Sequence, residues 1–168
     1  MKIDEIKINS YGNLNNNNIQ FDKLNIIYGK NESGKSTLLN FIINIFYGIS
    51  KNKNGKEISD YEKYYPWNNN EFSGKIYYEL NNKNKYSVYR NFDKKNPEIY
   101  DENSNDISNK FNIDKKAGNQ FFYDQTNLDE ETLISTVITT QTNVKLDSTT
   151  QNTLIQKVAN LAESGEEE

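Results

Sequence analysis

The chain opens on an alternating pattern. In "KIDEIKINSYG", Ile3, Ile6 and Ile8 are separated by polar residues, which predicts a half-buried strand closed by Tyr11-Gly12. "NLNNNN" reads as a turn and "NIQF" as a second short strand. "LNIIY" follows as a third strand, apolar on both faces as a central strand would be. From Gly34 to Tyr47 the period changes to helical. Leu38, Leu39, Phe41, Ile42, Ile43, Ile45 and Phe46 leave little polar face, so this helix is expected to be buried, with Gly48 as its stop.

The segment "SKNKNGKEISDYEKYYPWNNNEFSG" is irregular in pattern, with Pro66 and Trp67 as the expected anchors. "KIYYEL", "NNKN" and "KYSVYRNF" together predict a hairpin, and "PEIYDENSNDIS" a further small strand pair around a polar turn. "DEETLISTVIT" reads as a helix running into a strand closed by Gln141. In "TTQNTLIQKVANLAES", Leu154, Ile155, Val158 and Leu161 recur at helical spacing. No internal repeat is visible.

Composition sharpens this picture in a few places. At 168 residues the chain has the length of about one domain. Its mean hydropathy of -0.95 reflects abundant Asn, and 12 Tyr and 8 Phe replace part of the missing aliphatic core, so the chain as a whole is not a disordered one. The net charge of -4, with acid concentrated in "ESGEEE", argues against independent tight binding to DNA. Cysteine is absent, which excludes disulfides and thiolate metal sites; histidine is absent too, which removes the commonest general base. "MKIDEIKINS" builds no apolar signal core, and "LLNFIINIFYG" is too short to span a bilayer, so a cytoplasmic protein is expected.

One motif carries the chemistry. Gly29-Lys30-Asn31-Glu32-Ser33-Gly34-Lys35-Ser36 fits G-x-x-x-x-G-K-[ST] at every fixed position, between an apolar strand and a helix. Gly29 and Gly34 permit torsions that a side chain would block, so successive N–H groups can converge on an anion. The helix start presents its positive dipole end to the same place. Lys35 supplies a compact charge for the β- and γ-phosphates, and the Ser36 hydroxyl is placed for Mg²⁺. A bound nucleotide follows as the expectation. The base-reading N-K-x-D element of GTPases is missing, since "NKNK" and "NKFN" both lack the acid.

Two strands before the loop, and the wording "MKIDEIKINSYGNL…IQFDKLNIIYGKNESGKSTLLNFI", resemble the N-terminal half-head of the ABC-type ATPases related to SMC (structural maintenance of chromosomes) proteins and the double-strand-break-repair ATPases. Asn31 at the third loop position and the ending Gly34 to Thr37 match the family's wording. "WNNNEFSGKIYYEL" and "QTNVKLDS…IQKVANLAESGEEE" also look like its bacterial members. The resemblance implies an α/β P-loop NTPase fold of the ABC-type N-terminal lobe: a mixed sheet with phosphate loop and buried helix, plus a small antiparallel β-subdomain. Residues 1–168 would form a single partial head. Strands, loop and first helix would fill 1–50, irregular segment and hairpins 51–120, and a Q-loop segment with a helix toward a coiled coil 121–168. ATP with Mg²⁺ would be held by Gly29 through Thr37. Gln141, after "LISTVITT", matches the family's Q-loop glutamine, which touches Mg²⁺ and the attacking water; Gln125 and Gln120 are the competing positions. Ser10, Tyr11 and Asn13 occupy the stretch that borders the adenine in relatives, although Tyr11 reads equally as a core aromatic.

The family's signature loop, its aliphatic strand ending Asp-Glu and its switch histidine do not occur in these residues. The Asp-Glu pairs at Asp101-Glu102 and Asp129-Glu130 lack the preceding aliphatic run and read as surface charges. The resemblance therefore implies the N-terminal half of a split head. Its partners would be the C-terminal half of the same head, a second head in an ATP-clamped dimer, DNA and a possible nuclease. Alone, such a half should bind ATP and hydrolyse little of it. Two other readings stay open: a self-contained kinase of a small metabolite, which would need an acidic base and an Arg-rich lid although Arg90 is the only arginine, and a non-catalytic scaffold ordered by ATP.

Overall fold

The first strand does form where the alternation places it. In a computed structural model, which describes residues 1–52, 58–67, 71–115 and 118–138, β1 (Lys2–Tyr11) turns through Gly12-Asn13 into β2 (Leu14–Gln20). Gly12 takes a φ of +55°, which the tight turn requires. After helix α1 (Lys35–Tyr47) and a short helix α2 (Asp60–Tyr64), β3 (Ser73–Glu79), β4 (Lys85–Asn91) and β5 (Glu98–Asp101) complete one sheet of order β2-β1-β3-β4-β5. Every pair in it is antiparallel. The predicted hairpins thus merge into a single sheet with β1, where two separate sheets were expected.

Register explains the core. Ile6 pairs with Ile76, Ile76 with Val88 and Val88 with Ile99, and all four are fully buried on one face. The neighbouring row on the opposite face runs Lys7, Lys75, Tyr89 and Glu98. There the Lys75 ammonium lies 5.0 Å from the Tyr77 ring and 4.8 Å from that of Tyr100, which suits a solvated surface of amphipathic side chains.

Helix α1 covers the apolar face with Leu38, Phe41, Ile45 and Phe46. Gly74 makes the contact possible: a methyl group there would stand 2.5 Å from Phe41 Cζ and 2.7 Å from the Lys7 carbonyl oxygen. Around Phe41 and Phe92, Tyr11 is wedged with its ring 4.9 Å from Tyr64 and 5.5 Å from Phe72. Burial pushes its phenol well above the ordinary range, and the Asn44 amide donates to its oxygen at 2.6 Å. Tyr11 is therefore a core residue, the second of the two roles its position allowed. Arg90 closes the other end of α1. Its guanidinium is 3% exposed and donates to the carbonyl oxygens of Ile45, Phe46 and Lys95. This cation at a helix C-terminus offsets the negative dipole end, while burial lowers its pKa to about 10.

Four further expectations change. "NLNNNN" is no turn beyond Asn13, because from Leu14 on it belongs to β2 and pairs with β1. "LNIIY" is no strand: residues 24–28 run outside every hydrogen-bonded sheet of the described residues, with Leu24 84%, Ile26 89% and Tyr28 94% exposed. Apolar character on both faces is what a central strand needs, but among the described residues no neighbour pairs with it. The irregular segment holds α2, whose Ser59 and Glu62 form a reciprocal capping box. Its anchors are Tyr64, Pro66 and Phe72, while Trp67 is 94% exposed. "PEIYDENSNDIS" gives one strand, β5, and a single bridge from Tyr100 to Asp106.

A two-residue hairpin, β6 (Ile113–Asp114) with β7 (Gly118–Asn119), leads to helix α3 (Phe121–Thr126), whose Phe122 ring stacks 4.3 Å from that of Phe46. This unit spans Met1–Asn127, and a second unit begins at Leu128. In the second, Asp129 caps the short helix α4 (Glu130–Thr132), and a wide turn over Leu133–Val137 ends at an extended Ile138. The expected strand end at Gln141 and the helix over Leu154 to Leu161 lie outside the described residues.

Gly74→Ala should lower the stability of the fold by about 1–3 kcal/mol, because the added methyl overpacks against a ring and a backbone oxygen. Denaturant unfolding checks this, with the surface change Lys94→Ala expected to stay within about 0.5 kcal/mol of the parent chain.

Candidate functional site

The loop Gly29–Gly34 is shaped by its own residues before any ligand enters. Lys35, at the first position of α1, folds back so that its ammonium donates to the carbonyl oxygens of Gly29 at 2.7 Å and Lys30 at 2.8 Å. Ser33 Oγ stands 3.5 Å away. A lysine has three donors, so this brace closes the loop into a ring and leaves the charge at its mouth. The Ser33 amide donates to the Lys30 carbonyl at 3.3 Å, which makes a turn inside the ring. Glu32 sits in the left-handed region at φ +65° and Gly34 at φ +95°.

Gly34 is required by its positive φ, and Gly29 packs closely on the loop. A methyl at Gly29 would lie 2.4 Å from Ser33 Oγ, and one at Gly34 would lie 2.8 Å from Leu14 Cδ2. Gly34 is also the cap of α1, with no side chain accepting from the helix and no acidic residue in the first turn. The first helical bond runs from Leu38 N–H to the Gly34 carbonyl at 2.8 Å. The amides of Lys35, Ser36 and Thr37 precede it, as the orphan donors of a helix start do. Together with the dipole and the Lys35 charge they form a site for a phosphate chain. Exposed Lys30, Asn31, Glu32, Ser33 and Ser36 and half-buried Thr37 complete the predicted set, so Gly29 through Thr37 are brought together.

These residues fit Mg-ATP. Ser36 stands at the exposed start of the helix, where its hydroxyl would reach a metal bound mainly by phosphates and water, as Mg²⁺ prefers. No group of three or more acidic side chains that could hold a metal occurs among the described residues.

A cavity of about 340 Å³ adjoins the loop, lined by Gly12, Asn13, Asn15, Thr37, Lys63, Tyr64 and Trp67. Its size suits a small ligand group, and it has an aromatic wall, amides and no lining carboxylate. Of the residues assigned to the adenine border, Asn13 lines this cavity; Ser10 is fully buried with its hydroxyl on Asn15, and Tyr11 is in the core. Lys63, Tyr64 and Trp67 escaped the sequence reading. The capping box Ser59-Asp60-Tyr61-Glu62 marks the helix that carries them, but nothing in their spacing tells that it folds beside Thr37. A larger depression, about 500 Å³, lies on the outer face of the sheet and shares no residue with the loop. Its Asp4 and Glu5 already pair with Lys2 and Lys7.

The glutamines separate clearly. Gln125 accepts from the Tyr78 hydroxyl at 2.7 Å, and Gln120 donates to the Gly118 carbonyl at 3.1 Å. Gln125 lies in α3 and Gln120 caps its start, and α3 packs on Phe46 and Tyr47, roughly 18 Å along α1 from the loop. Neither reaches the phosphate site. Gln141 lies outside the described residues. Asp101 accepts from the Asn105 side-chain amide at 3.0 Å and from the backbone N–H groups of Asn105 and Asn103, which hold its carboxyl below the usual range, and serves a turn. Glu102 and Glu130 are exposed, and Asp129 caps a helix, in keeping with the structural reading of these acids.

A family model described as "AAA domain" matches residues 1–135, four-fifths of the chain and the whole of the site. Among curated proteins none matches the sequence.

Gly34→Ala should weaken Mg-ATP binding at least about tenfold, through positive-φ strain and the clash with Leu14. Titration calorimetry reads the affinity and far-UV dichroism verifies that the fold persists.

Proposed function

The chain belongs to the AAA domain family of P-loop ATPases, and from that premise we propose that it is the ATP-binding N-terminal part of a split, SMC-like ATPase head. One observation carries this reading: the apolar run that leads into the phosphate loop is uncovered and pairs with no strand among the described residues. Residues 24–28 expose Leu24, Ile26, Ile27 and Tyr28. A run of exposed apolar side chains with no sheet neighbour calls for strands beside it and layers above and below. In this proposal the C-terminal half of the head supplies them, together with the signature loop and the Asp-Glu strand that these 168 residues lack.

In that assembly the chain's residues bind and orient. Lys35 and the first-turn amides of α1 hold the β- and γ-phosphates, Ser36 takes its place in the Mg²⁺ shell, and the cavity beside Thr37 receives the base. Mg²⁺ neutralises phosphate charge, and Gln141 completes the water-positioning set when the head is whole. ATP then holds two heads together and hydrolysis releases them, in the service of DNA repair or chromosome maintenance. A small-molecule kinase fits the molecule less well. Its lid would need arginine, and the only one, Arg90, is buried against the carbonyls that end α1.

Three tests bear on the reading. Trp67 is the only tryptophan and lines the cavity, so its fluorescence should change on titration with Mg-ATP and the change should vanish in Lys35→Ala. Turnover by the chain alone should be negligible, and turnover abolished by Lys35→Ala would contradict the half-head. Ile26→Lys should leave the unfolding free energy within about 0.5 kcal/mol, since the side chain is already in solvent. The same change should abolish ATPase activity of the complete head.

A further inference from the structure

The phosphate loop leans on the β1–β2 turn, and one side chain of that turn touches both halves of the candidate site. Asn13 lines the cavity beside Thr37. Its Nδ2 also donates at 3.1 Å to the carbonyl of Glu32, the non-glycine residue at positive φ on the crown of the loop. Left-handed backbone is uncommon for a residue other than glycine and persists when its surroundings hold it. Here the holding group is an amide from another strand connection. The turn is itself tied down on its far side, where the Gly12 N–H donates to the Tyr64 carbonyl at 2.7 Å. Tyr64 ends α2 and forms the cavity's aromatic wall. A continuous path therefore runs from Tyr64 through Gly12 and Asn13 to Glu32, from cavity wall to loop crown.

We propose that Asn13 is a positioning residue for the phosphate chain: it fixes the Glu32 peptide, and through it the direction of the loop amides, so that the loop is set by the same turn that shapes the base cavity. It acts on the phosphates through the loop and contacts them in no step. The proposal rests on the nucleotide reading above and deepens it. A glycine-rich loop with a positively twisted residue has many alternative conformers, and one cross-strand donor narrows them at little cost because Asn13 itself is solvent-exposed.

The test separates the phosphate chain from the base. Inorganic tripolyphosphate with Mg²⁺ probes the loop alone, and Mg-ATP probes loop and cavity together, both by titration calorimetry on the full chain. Asn13→Leu keeps the size and removes the donor. It should weaken tripolyphosphate and ATP by the same factor, about three- to tenfold, the worth of one hydrogen bond, while the thermal midpoint stays that of the parent. Asn13→Asp, which sets a carboxylate against the Glu32 carbonyl, should weaken both at least as much. If Asn13→Leu binds tripolyphosphate like the parent, whether or not ATP weakens, Asn13 is only a cavity wall and the proposal falls while the nucleotide reading stands. If the parent chain itself binds neither probe, the nucleotide reading falls with it.

Discussion

Everything at the site depends on where the N-terminus of α1 is held, and that is fixed by how the helix lies on the sheet. Phe41 can sink to the strand backbone because Gly74 has no side chain, and Phe46 is clasped between Tyr78 and Phe122. At the far end Arg90, the only arginine, takes up the carbonyls that the last turn leaves open. A helix pinned by ring packing along its length and by a cation at its C-terminus has one free end. The free amides and the positive dipole face the loop, so the electrostatics of the site follow from the packing of the core.

The loop shows the same economy. Lys35 braces it from inside through two carbonyls, Gly34 gives the turn into the helix, and Asn13 reaches in from the sheet. The recognition elements are therefore present before ligand binding, which reduces the ordering cost that binding would otherwise carry. Against this stands residues 24–28, whose exposed aliphatic and aromatic side chains have no cover in the first unit. Large exposed apolar segments mark interaction surfaces. The contrast between a braced loop and a bare apolar segment is the physical core of the half-head reading.

Local signals in the sequence survived folding and non-local ones did not. The alternation of Ile6 and Ile8, the helix from Lys35, the stop at Gly48 and the β3–β4 hairpin are local, and each appears where its period or turn chemistry puts it. The nine residues of the phosphate loop were legible because their spacing is itself the chemistry. "LNIIY" misled because a strand's identity lies half in its neighbours: its composition describes a central position, and the described residues do not supply the flanking strands. The merger of the two hairpins into one sheet rests on Ile6 meeting Ile76, a pairing across most of the domain that no local pattern encodes. The cavity wall at Lys63, Tyr64 and Trp67 was invisible for the same reason. The capping box at Ser59 and Glu62 could have been read, and marks a helix that the irregular composition obscured.

Amide hydrogen exchange of the chain with and without Mg-ATP, followed peptide by peptide, tests the central claim most directly. The account predicts that residues 24–28 exchange at nearly unprotected rates in both states, while amides of the loop and the first turn of α1 become protected on adding nucleotide. Protection of 24–28 in the chain alone, or a loop whose exchange ignores Mg-ATP, would contradict it.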